Sequence, residues 1–72
     1  MSINTMTSPR MKFSFENITT AKKAKTIIEA NYPSVITYLI PNNASLIVKP
    51  TNSINIDIAI EKMATSVGGV II

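Results

Sequence analysis

The residue types that most often do chemistry are sparse in this 72-residue chain, which has no cysteine and no histidine. Without thiolate or imidazole, zinc, copper and iron lose their ordinary donors, and neither a Cys–His nor a Ser–His nucleophile pair can be assembled. A disulfide-stapled secreted scaffold is excluded on the same count. The acidic residues are Glu16, Glu29, Asp57 and Glu61. A paired-carboxylate active site needs two of them converging in one pocket, and nothing in this spacing requires it. Glu29 and Glu61 read as solvated helix positions, Glu16 and Asp57 as residues near element ends. Tyr32 and Tyr38 have no companion that would make them acids. Gly68-Gly69 stands near the C-terminus, where ending a helix is the usual task, and is no phosphate-binding loop. The sequence therefore reads as a non-enzyme, with no catalytic residue, no metal ligand and no cofactor.

The basic residues are more suggestive. In "ENITTAKKAK", Glu16 to Lys25, three lysines (Lys22, Lys23 and Lys25) crowd what reads as the start of a helix. A helix N-terminus carries partial positive charge, so acidic residues are the ordinary choice there. Thr19, Thr20, Lys22, Lys23 and Lys25 are accordingly candidates for holding an anion, a phosphate or a partner's carboxylate. Lysines simply solvated, at a cost of a few tenths of a kcal/mol each, are the alternative. The net charge of +3 tolerates nucleic acid without demanding it.

These residues must be positioned by a small domain. Apolar residues make up 46% of the chain, enough for a packed core. Residues 1–10, "MSINTMTSPR", read as a flexible tail, and Met1, Met6 and Met11 are alternative starts. The tail lacks the apolar centre of a signal peptide, and no apolar run approaches the ~20 residues that span a bilayer. A cytoplasmic protein is expected.

"MKFSF" alternates, with Met11, Phe13 and Phe15 on one side and Lys12, Ser14 and Glu16 on the other, as a half-buried strand does. From Thr19 or Thr20 the period becomes helical through Ala21, Ala24, Ile27 and Ile28, with Thr19 as N-cap and an end near Asn31, before Pro33. "SVITYLI" reads as a second strand, "PNNA" as a turn, "SLIVK" as a third strand and "PTNS" as another turn. Ile54, Ile56, Ile58 and Ile60 alternate like a strand. However, Ile56, Ala59, Ile60, Met63, Ala64 and Val67 form a continuous helical stripe, which Ser53 or Asn55 can cap and Gly68-Gly69 can end. Helix is the reading adopted, leaving "VII" as a short fourth strand.

The resulting order, β-α-β-β-α-β, predicts an α+β ferredoxin-like plait over residues 11–72: a four-stranded antiparallel sheet with two helices on one face. Its other face should be polar, but the second and third strands carry apolar residues on both sides. Ile36, Tyr38, Ile40 and Ile47 are the candidates for a contact face toward a second copy or a protein partner. A one-residue slip would exchange them for Val35, Leu39, Leu46 and Val48. Nucleic-acid plaits stack bases on aromatics of the central strands, and "SLIVK" has none. Nucleic acid or another polyanion, held by Arg10, Lys12 and the lysine cluster, is thus the second choice of partner.

"ENITTAKKAKTIIEANYPSV" and "IAIEKMA" together resemble the heavy-metal-associated domain of copper chaperones and metal-pumping ATPases, over Met11 to Ile72. That family opens its first helix with a Met-Thr-Cys-x-x-Cys loop and often carries Ala-Ile-Glu-x-Ala in its second. Here Ile18 and Thr19 stand where the family has Met and Thr, and Thr20 and Lys23 stand where it has the cysteines. "YPSV" resembles the exit from the first helix, and "AIEKMA" the second helix. The resemblance implies the plait. The metal function does not carry over, because a hydroxyl and an ammonium cannot replace two thiolates on a soft metal.

Overall fold

The computed structural model describes residues 11–72; the tail expected over residues 1–10, with Arg10, lies outside them. The elements are β1 (Lys12–Ser14), α1 (Ile18–Asn31), β2 (Thr37–Ile40), a 3-10 turn (Pro41–Asn43), β3 (Ser45–Val48), α2 (Ile54–Ser66) and β4 (Val70–Ile71). The strands form one four-stranded sheet in the order β2-β3-β1-β4, every neighbouring pair antiparallel. The chain is therefore α+β, with a four-stranded antiparallel sheet and two helices among the described residues.

Alternation in β1 places Met11, Phe13 and Phe15 in the core and Lys12 outside. Phe13 faces Leu46 of β3, and Leu46 faces Leu39 of β2. Ala21, Ala24 and Ile28 of α1 and Ile60 and Ala64 of α2 close the same cluster. Three of those five helix positions are alanine, so both helices can approach closely, and α1 also packs along α2.

The first helix begins earlier than the sequence suggested. Asn17, not Thr19, is its N-cap: Asn17 Oδ1 accepts the Thr20 N–H at 2.9 Å and the Thr20 hydroxyl at 3.0 Å. An asparagine carboxamide is a stronger cap than a threonine hydroxyl and reaches the third helical N–H directly. The helix ends as expected at Asn31, with the Tyr32 N–H still donating to Ile28 C=O (2.8 Å) before Pro33 stops the run.

The second strand is shorter than "SVITYLI". The Val35 N–H turns back to Tyr32 C=O (3.0 Å), so the ladder starts only at Ile36, whose C=O accepts the Lys49 N–H at 2.9 Å. The "PNNA" turn closes through Ala44 in a left-handed conformation, φ 52°.

The ambiguous isoleucine segment is helical. Ser53 caps it by accepting the Ile56 N–H, and Asp57 lies in its first turn. Asp57 is only 4% exposed, because its carboxylate is taken by the Thr51 N–H (2.9 Å) and hydroxyl (2.7 Å). Gly68, at φ +97°, ends the helix. No helix among the described residues is long and apolar enough to cross a membrane.

Candidate interaction face

The earlier helix start moves the lysine cluster out of the first turn. With Ile18 as the first helical residue, Thr19 and Thr20 fill the first turn and Lys22, Lys23 and Lys25 fall beyond it. The terminal dipole acts mainly within that first turn, so the apparent conflict of charges largely disappears. Lys22 and Lys23 are exposed. Lys25 instead pairs with Glu29 one turn on, and the Thr20 N–H and hydroxyl are spent on Asn17. The structure does not bring these five residues to one point.

Glu29 is held from two elements. It accepts a hydrogen bond from Lys25 and another from the Thr37 hydroxyl at 2.7 Å. These two bonds hold its carboxyl below the ordinary carboxylate range, with the nearby positive charge adding and slight desolvation opposing. The contact ties α1 to β2. Asp57, in the first turn of α2, is likewise occupied by Thr51 of the preceding loop, and no group of three or more potential metal-ligating side chains exists among the described residues. A cleft between Ser34–Ile36 and Lys49–Asn52 is lined by no carboxylate.

The face turned away from the helices is the more organised surface. Side chains directly opposite one another on paired strands share a face. Tyr38 faces Ile47, Ile47 faces Lys12, and Lys12 is followed across the ladder by Ile72, whose N–H donates to Lys12 C=O at 3.1 Å. The neighbouring row runs Ile40, Ser45, Ser14, Val70. Ile36, beside Lys49, extends the β2 side. Ile36, Tyr38, Ile40 and Ile47 therefore lie on one face, while Leu39, Leu46 and Val48 lie on the other, toward the helices.

Tyr38 is 56% and Ile36 47% exposed, whereas Ile40 and Ile47 are half-buried by neighbours on the sheet. The apolar groups concentrate on the outer strands, with the small Ser14 and Ser45 between them. Sequence reasoning missed Val70, 63% exposed, and Ile72 on the same face. The available signal was "VII" itself, since an alternating strand paired to Lys12 and Ser14 must direct two of its three residues to their side.

No family model matches the chain, and no curated protein or solved structure is significantly similar to it.

Proposed function

We propose that this chain is a non-enzymatic, cytoplasmic protein-interaction domain, a ferredoxin-like plait resembling a metal-free heavy-metal-associated domain. It docks a protein partner, or itself, through the open sheet face or an edge strand. One observation carries this reading. Ile36, Tyr38, Ile40 and Ile47 form an apolar patch, with Val70 and Ile72 beyond Lys12 and Ser14 on the same face, on the side of the sheet that neither α1 nor α2 covers. Exposed apolar side chains grouped on one face of so small a domain favour burial against another molecule. The β-α-β-β-α-β order and the β2-β3-β1-β4 sheet support the plait. The absence of cysteine and histidine from the sequence supports a role without soft-metal cargo.

The test is capture of partners from the host by the tagged chain, compared with Tyr38→Asp and with a Lys22→Ser/Lys23→Ser double variant. Circular dichroism checks that each folds. The reading expects a specific protein to be lost with Tyr38→Asp and retained with the lysine variant. The opposite pattern, with nucleic acid recovered and released by salt, would replace it with polyanion binding by the lysine cluster.

A further inference from the structure

Among the described residues β2 ends the sheet, and its hydrogen-bonding pattern shows which groups it offers outward. In an antiparallel ladder, residues alternate between pairs that exchange hydrogen bonds and pairs that do not. The Lys49 N–H donates to Ile36 C=O, so Ile36, and by alternation Tyr38 and Ile40, direct their backbone groups inward to β3. The other side of β3 agrees: the Val48 N–H donates to Met11 C=O, toward β1. The N–H and C=O of Thr37 and Leu39 therefore point away from the sheet.

Both limits of this edge are set by sequence. Toward the N-terminus, the Val35 N–H is taken by Tyr32 C=O. Toward the C-terminus, Pro41 has no N–H to give. The outward groups of Thr37 and Leu39 are thus placed symmetrically about Tyr38. No charged residue and no proline lies within Val35–Ile40, so two of the devices that ordinarily guard an edge strand, charge and proline, are missing there.

We infer that the occupant of this edge is a second copy of the chain, its β2 paired antiparallel to the first across a two-fold axis at Tyr38. This rests on the interaction reading above and names its partner and register. In this register Thr37 of one copy faces Leu39 of the other, and every outward N–H and C=O of both residues finds a partner. Centring the axis on Thr37 would waste a Leu39 carbonyl on the occupied Val35 N–H. Centring it on Leu39 would set Thr37 against Pro41. A two-fold contact is self-complementary by construction, and the edge meets these terms with its own backbone. Tyr38 faces Tyr38 as a non-hydrogen-bonded pair, and Ile36 faces Ile40, which joins the two apolar faces into one. Such an edge contact sits at the small end of specific interfaces, so exchange between monomer and dimer is expected in the micromolar range or weaker.

Directly opposed residues of a non-hydrogen-bonded pair have Cα atoms about 4.5 Å apart, inside the window a disulfide accepts. Because the chain has no cysteine, Tyr38→Cys introduces the sole thiol, at an exposed site. Under mild oxidation this variant should form a covalent dimer at least tenfold faster than Ile47→Cys on the central strand or Lys62→Cys on α2. In parallel, sedimentation equilibrium of the native sequence should show mass rising with concentration toward twice 7.8 kDa, and Tyr38→Lys should weaken association at least tenfold. A native chain monomeric at about millimolar concentration would overturn the inference. So would a dimer that Tyr38→Lys leaves unchanged, or one in which Ile47→Cys cross-links as fast. Retained capture of a Tyr38-sensitive partner by a monomeric chain would leave the broader interaction reading standing, whereas loss of both would remove both.

Discussion

At the scale of single residues, Glu29 joins two elements, α1 and β2, by one carboxylate. It is bonded by Lys25 within α1 and by Thr37 on β2, and both bonds favour its ionised form. A carboxyl whose folded-state pKa is depressed contributes stability that is fully present above its unfolded pKa. That contribution is lost as pH falls through the lower folded value. The native chain should therefore lose thermal stability on acidification below about pH 4.5. Glu29→Gln should be less stable at neutral pH and show a shallower fall, measured by thermal melts from neutrality to about pH 3. An identical pH dependence in the variant would show that Glu29 does not supply it. The effect is modest, because the pair is partly solvated. The placement of the lysines is set at the same scale. A single better cap, Asn17, moved the helix start and with it the electrostatic meaning of Lys22 and Lys23. The capping types were legible in "ENITT", but several neighbouring residues could each cap, and only the hydrogen bonds of Asn17 chose among them.

At the scale of elements, the two ends of α2 show how local sequence fixes tertiary geometry. Gly68 needs its positive φ, yet a Cβ there would meet nothing within 4 Å. Gly69 is the reverse case: a Cβ would lie 2.8 Å from both the Ala64 carbonyl oxygen and the Phe15 ring. Gly68→Ala should cost about 1–2 kcal/mol from backbone strain alone. Gly69→Ala should cost more, because backbone and a core ring must both shift, and urea unfolding should rank the two in that order. At the other end, Asp57→Ala would strand the Thr51 N–H at a part-buried loop and leave its hydroxyl to the Ser53 C=O, an expected loss of about 1–3 kcal/mol. Ser53→Ala removes only the cap, for about 1 kcal/mol. Helix, strand and turn types followed from periodicity and from Gly and Pro. The strand Ser34–Ile40 was overestimated, because pattern alone does not reveal that the Val35 N–H is already bonded to Tyr32.

At the scale of the whole molecule, the core side of the sheet was legible and the open side only half so. Alternation in "MKFSF" assigns Phe13 inward without reference to any partner strand; in "SLIVK" it only separates Leu46 and Val48 from Ile47, and the strand register decides which set is buried. The outer face depends on register between strands distant in sequence, which is why Val70 and Ile72 were missed while Tyr38 and Ile47 were found. The same geometry links association to stability. A core of this size supplies roughly 3–5 kcal/mol, so truncating a fully buried side chain such as Ile60 to alanine, at about 2–5 kcal/mol, should leave the isolated chain largely unfolded. Pairing through β2 binds the folded state alone and so raises apparent stability by mass action. The urea midpoint of the native chain should accordingly rise with protein concentration, and the midpoint of Tyr38→Lys should not. Because Tyr38 is exposed and outside the core, the two proteins should converge at high dilution. A midpoint independent of concentration in both would mean that the small core stands alone and that the β2 edge contributes nothing to holding it together.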